Sequence, residues 1–191
     1  MISGYLISLM IIHSVKNKRY SFVEFYARRI RRIFPALILV LLTCYGLGWV
    51  CLFATEFEVL SKHIFGGASF SSNFLLWYES GYFDHSAHTK PLLHLWSLSI
   101  EEQFYLLWPI CLWLALKKKA HPTIVTLILL VCSMALNLAG IKAYGTATFY
   151  MPMTRFWELF MGAFLASLPE RQVTKPCSTH FLAAGGLVLC S

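Results

Sequence analysis

The sequence predicts an all-α, polytopic transmembrane helical bundle, and three observations predict it. First, its 191 residues are 58% hydrophobic and 13% charged, with a mean hydropathy of +0.62. A soluble domain of this size has no interior large enough for that apolar surface, whereas lipid accepts it. Second, aromatic residues are 16% of the chain, and many close the ends of apolar runs, where Trp and Tyr rings settle at the headgroup level. Third, Lys and Arg are gathered between apolar runs instead of spread along amphipathic faces, so the net charge of +7 reads as a topology signal. No nucleic-acid partner is expected.

The spans follow in order. Pro35 to Phe53 carries no charge, and at about 1.5 Å per residue it covers roughly 28 Å, close to the hydrocarbon thickness. Pro35 fits its first turn, where the amide has no helical partner. Leu98 to Leu116, Thr123 to Leu138 and Phe156 to Leu168 are three further complete spans, the last being the weakest because Arg155 and Glu158 stand at its start. Met1 to Ile12 and Phe181 to Ser191 read as partial spans, so the whole chain is expected to be one partial membrane domain. The segment Lys16 to Arg32 holds Lys16, Lys18, Arg19, Arg28, Arg29, Arg31 and Arg32 against Glu24 alone, which places it in the cytoplasm by the positive-inside rule. Counting spans from there puts Glu56 to Leu95 outside, Lys117 to Lys119 inside, Gly140 to Met151 outside and Glu170 to Lys175 inside. The second basic cluster falls on the correct side without adjustment.

Cysteine chemistry is not expected. There is no CxxC pair, and Cys44, Cys51, Cys111 and Cys132 lie inside apolar runs, where Cys is a small hydrophobe. Cys44 and Cys51 are two helical turns apart, roughly 10 Å, beyond disulfide reach. His85, His88 and His94 cluster near Asp84 but lack the compact spacings of zinc sites, so no metal is expected.

Two segments can carry chemistry. Arg29 and Arg32 are one helical turn apart and could grip the phosphates of a coenzyme A thioester; the alternative is a topology determinant paired with anionic membrane lipid. The second segment is Lys90 to Tyr105. A helix beginning near Ser97 would use that Ser as its N-cap, place Glu101 and Glu102 in its first turns, and line Ser97, Glu101, Tyr105 and Trp108 on one face. Pro109 then removes the amide that would bond the Tyr105 carbonyl, giving a kinked helix with a polar stripe. Paired carboxylates at a membrane boundary mark function unless a neighbouring Arg pairs with Glu102 in a purely structural role. Arg155 and Glu158, at i and i+3, are best read as an internal pair. In the outer segment, Asn73, Trp77, Tyr78, Tyr82 and Trp96 suit either stacking on a sugar ring or an interfacial belt.

Ile2 to Ile7 (ISGYLI), Tyr26 to Ala36 (YARRIRRIFPA), Ser72 to Phe74, Gly81 to Asp84, Pro91 to Tyr105 (PLLHLWSLSIEEQFY) and Arg155 to Leu159 (RFWEL) occur in this order. Together they resemble the acyltransferase 3 family of membrane O-acyltransferases, from the first residue to about Leu168. The resemblance implies transfer of an acyl group, commonly acetyl, from cytoplasmic acetyl-CoA or another acyl-CoA to a cell-surface carbohydrate, such as O-antigen or peptidoglycan. The implied location is the bacterial cytoplasmic membrane. By the same resemblance Arg29 and Arg32 match the family's Arg-x-x-Arg and would hold donor phosphates, while His94, Glu101, Glu102, Arg155 and Glu158 would shape and polarise the transfer cavity. The family's presumed catalytic His lies upstream of the motif in which this chain begins, and neither His13 nor His94 replaces it. The expectation is therefore a fragment inactive by itself, with reading frame continuing before Met1 and further helices, with or without a hydrolase-like domain, after Ser191. A non-catalytic, transporter-like membrane module and a truncated remnant are the alternatives.

Overall fold

The computed structural model describes residues 1–17, 20–80, 92–118 and 120–168. Among these residues all regular structure is helical: α1 (Ile2–Lys16), α2 (Phe22–Cys51), α3 (Ala54–Ala68), α4 (Ser72–Glu79), α5 (Leu95–Lys117), α6 (Pro122–Ala143), α7 (Gly145–Tyr150) and α8 (Pro152–Ser167). The expected partial span 181–191, the segment 170–175 and the outer-segment residues Tyr82, Asp84, His85 and His88 lie outside the described residues.

Among the described residues, two helices are long and apolar enough to cross a membrane, α2 with 30 residues and α6 with 22. The all-helical architecture is therefore as expected, but four complete spans are not reached by length and apolarity. The run in α5 is interrupted by Glu101, Glu102 and Gln103, and α8 has only 16 residues. Leu39, Trp49 and Val50 of α2 are 68%, 70% and 80% exposed. Apolar surface on that scale is unusual in a water-exposed monomer and ordinary in a helix facing lipid.

Three boundaries differ from the sequence reading, each for a local reason. α2 begins at Phe22 inside the expected basic loop, because Ser21 caps it by accepting from the Glu24 amide at 3.5 Å. Glu24 then pairs with Arg28 at 2.6 Å, one turn on. Arg29 and Arg32 are thus helical residues, and Pro35 lies within the helix instead of in its first turn. α5 begins at Leu95 with His94 at the cap position; Ser97 is already helical and donates to the His94 carbonyl at 3.2 Å, so it is no N-cap. The outer segment contains α3 and α4, with the Glu56 carboxylate accepting the Phe53 amide at 3.2 Å to start α3.

Helices α2 and α5, and α6 and α8, run antiparallel, whereas α5 and α8 run parallel, Phe104 meeting Phe156 and Trp108 meeting Phe160. Along α2 and α5, Phe22 meets Trp113 with ring centroids 5.5 Å apart, Arg29 meets Tyr105, and Leu37 and Leu41 join a cluster with Leu92, packed on by Leu95 and Leu98. Along α6 and α8, the hydroxyl of Thr123 donates to the Ser167 carbonyl at 2.8 Å, Ser133 accepts the Trp157 amide at 3.0 Å, and the Asn137 amide donates to the Thr154 carbonyl at 3.0 Å. Such interhelical bonds join helices where lipid and protein are equally apolar. α1 lies so close to α8 that a Cβ on Gly4 would overlap the Leu159 carbonyl, and one on Gly162 would overlap the Met1 carbonyl. Where α5 joins this pair, Phe104 and Trp108 of α5 and Phe156 and Phe160 of α8 form an aromatic core, with the Trp108 indole N–H donating to Ser8 of α1 at 2.7 Å.

Candidate functional site

α1 packs on α5 and α8 but not on α2, and the space it leaves is a cleft of about 880 Å³. One wall is α1, with Ser3, Leu6 and His13; a second is α2, with Arg29, Arg32 and Ile33; the floor is α5, with Leu98, Glu101, Glu102 and Tyr105. The tether between α2 and α5 beside the cleft is the Tyr26 hydroxyl, which donates to the Leu106 carbonyl at 2.9 Å.

The polar groups of the floor are not equivalent. The Tyr105 hydroxyl donates to Glu101 at 2.8 Å, one turn away on α5. The Arg29 guanidinium lies 3.3 Å from the centroid of the same Tyr105 ring, a close cation–π stack. Its Nη2 is 3.8 Å from Glu102 Oε1, and the two side chains are 18% and 12% exposed. Arg32, one turn on, is exposed at the wall. The two arginines that spacing makes equivalent are therefore one stacked, nearly buried cation and one accessible cation. In the α1–α2 connection, burial, aided by the neighbouring Tyr26 hydroxyl, pushes Tyr20 up to about 12, so its phenol is neutral at physiological pH.

The remaining expected site residues are elsewhere. His94 is exposed at the start of α5 and does not line the cleft. Arg155 donates to Glu158 at 2.9 Å and stands over the Phe149 and Trp96 rings at 4.6 and 5.7 Å, a cluster at the α7–α8 junction separate from the cleft lining. Asn73 is fully buried; its amide donates to the Tyr150 carbonyl at 3.2 Å and its oxygen accepts from Gln103 at 3.0 Å, so it ties α4 to α5 and α7. Trp77 and Tyr78 are exposed. The predicted face of Ser97, Glu101, Tyr105 and Trp108 divides: Glu101 and Tyr105 line the cleft, Trp108 is buried against Ser8, and Ser97 is exposed. Tyr105, expected as part of the polar face of α5 but given no site role, and His13, expected only not to replace a catalytic His, both line the cleft. No group of three or more metal-binding side chains occurs among the described residues.

Among the described residues, an all-helical fold with two membrane-length apolar helices and a charged cleft between helices defines a candidate membrane protein with an interhelical site. The comparison with known families makes the assignment: residues 1–191 match the acyltransferase 3 family, described as an acyltransferase domain, and the chain belongs to it. An uncharacterized protein of Haemophilus influenzae is 38% identical over 86% of this chain and 71% of its own length. The putative peptidoglycan O-acetyltransferase YrhL of Bacillus subtilis is 32% identical over 99% of the chain and 32% of its own length. The O-acetyltransferase OatA of Staphylococcus aureus is 32% identical over 86% of the chain and 28% of its own length. The chain thus spans about a third of these two named relatives. No solved structure matches it.

Proposed function

We propose that this chain is the donor-binding and core portion of a membrane O-acyltransferase of the bacterial cytoplasmic membrane. Its donor is acyl-CoA, with acetyl as the transferred group, and its acceptor is a cell-surface carbohydrate such as O-antigen or peptidoglycan. The observation that carries the reading is the cleft in which Arg32 and Arg29 stand opposite α1 and beside Glu101 and Glu102. An accessible guanidinium beside apolar walls suits a ligand with a phosphate-rich head and a long neutral arm. The names of the relatives support the acetyl group and the glycan.

In the same reading α5 and α8 complete the crossings with α2 and α6, the segment 16–32 faces the cytoplasm, and the segment 56–95 faces outward. The antiparallel registers of α2 with α5 and of α6 with α8 support this arrangement. The test is acetyl transfer from radiolabelled acetyl-CoA in membranes of cells expressing the whole gene. Label entering the glycan fraction is expected. A protein that instead moves a lipid-linked sugar across vesicles without labelling it is a transporter-like module, and the acyltransferase reading fails.

A further inference from the structure

We infer that the exposed face of α2 seats an anionic phospholipid, with its headgroup on Arg28 and Arg31 and its acyl chains along Ile38, Leu39 and Leu42. The inference rests on α2 crossing the membrane and is independent of the acyl-transfer reading. It starts from the four arginines between Tyr26 and Ile33, which α2 divides into two pairs. Arg29 and Arg32 line the cleft. Arg28 and Arg31 do not line it, and both are exposed. At about 3.6 residues per turn, this second pair is turned from the first by about 100° around the helix. One short motif thus carries two cationic surfaces, and one of them faces away from the cleft.

The outward surface does not stop at the arginines. Pro35, Ile38, Leu39, Leu42 and Trp49 fall with Arg28 and Arg31 within about 100° of arc, and each of them is exposed. From Arg31 the helix rises about 16 Å to Leu42 and about 27 Å to Trp49. The first distance is about one leaflet of a hydrocarbon core roughly 30 Å thick, and the second is nearly the whole core. Trp49 stacks with Tyr45 at 6.5 Å, and such rings settle at the headgroup level of the far boundary. The half of the stripe next to the arginines therefore matches an amphiphile with an anionic head and long hydrocarbon chains.

Charge selects the head. Arg28 pairs with Glu24 at 2.6 Å, whereas Arg31 makes no ion pair among the described residues. Two guanidiniums and one carboxylate leave a single positive charge on this face. That charge complements a phosphodiester with one net negative charge, as in phosphatidylglycerol, better than a zwitterion whose own cation neutralises its phosphate. A guanidinium fork also holds two phosphate oxygens at once. A free phosphate gains nothing from the apolar stripe, which makes the lipid the fitting occupant.

The experiment uses the purified whole protein in neutral detergent micelles. It is titrated with fluorescently labelled phosphatidylglycerol and with phosphatidylcholine of the same chains, and binding is read by anisotropy. Wild-type protein should bind phosphatidylglycerol about tenfold more tightly, with a preference that shrinks as salt is raised. Equal affinity for the two lipids overturns the seat, whatever any variant does. Arg28→Gln combined with Arg31→Gln should abolish the preference, and Arg32→Gln, in the cleft wall, should keep it. A double variant that keeps the preference overturns the site, and an equal loss in Arg32→Gln overturns the division of the arginines into two surfaces. Glycerol 3-phosphate, which has the charge without the chains, should not displace the labelled lipid. Displacement as effective as by unlabelled phosphatidylglycerol assigns the arginines to a free phosphate and overturns the lipid. A whole protein recovered in the soluble fraction of lysed cells overturns the membrane reading itself, a separate and recognisable result.

Discussion

α1 packs on α5 and α8, and it treats α8 and α2 oppositely. Against α8 it approaches until backbone touches backbone, through Gly4 and Gly162; from α2 it stands apart, and the space is lined by His13, Arg29, Arg32, Glu101 and Glu102. Both arrangements obey one rule. In surroundings as apolar as the helices themselves, close association needs small residues or satisfied hydrogen bonds, and charged side chains keep helices apart unless something polar lies between them. The α1–α5, α1–α8 and α6–α8 contacts thus form a scaffold, and the α1–α2 space is the proposed ligand cleft.

Four variants test that contrast. Trp108→Ala, in the scaffold, should have the largest effect, about 3–5 kcal/mol of lost stability, since it empties a fully packed indole site and strands Ser8. An unfolding titration in mixed micelles measures it, and a loss under about 1 kcal/mol would break the contrast. Gly162→Leu should cost about 1–3 kcal/mol in the same assay, because the obstacle is the backbone of α1 and cannot rotate away. Arg32→Ala belongs to the cleft and should behave differently, with coenzyme A affinity falling about tenfold, or ~1.4 kcal/mol, at an unchanged unfolding midpoint. If instead stability falls and affinity holds, Arg32 serves the scaffold. Ser133→Ala should have the smallest effect, about 0.6 kcal/mol, typical of an interhelical hydroxyl bond in a bilayer, and it sharpens the comparison by isolating the polar share of the α6–α8 contact.

What sequence could show was what local pattern encodes. The apolar runs, the basic cluster and the adjacent carboxylates were visible because each is a property of a few consecutive residues. The start of α2 was also encoded, in Ser21 and Glu24 three residues on, but the density of Arg beyond it reads as a loop until the cap is recognised. Helices α3 and α4 are short and partly polar, so their apolar signal is weak. The difference between Glu101 and Glu102 was not legible at all: both have the same chemistry and the same helix, and only the side chain of Arg29, 73 positions earlier, distinguishes them. The same holds for Arg29 and Arg32, which spacing pairs and the Tyr105 ring separates. His94 was placed in the cavity by its motif, whereas the helix starts at Leu95 and leaves it exposed outside the cleft.

The close approach of α1 and α8 through Gly4 and Gly162 also has a consequence in time. Roughly 160 residues separate the two glycines, and at a synthesis rate of about 5–20 residues per second the ribosome needs about 8–32 s to make the second after the first. Throughout that interval α1 waits without the helix it fits most closely, and the buried faces of Ile7 and Ile11 must be sheltered by lipid or by the insertion machinery. The cleft, one wall of which is α1, therefore takes its final form only after α8 has been delivered.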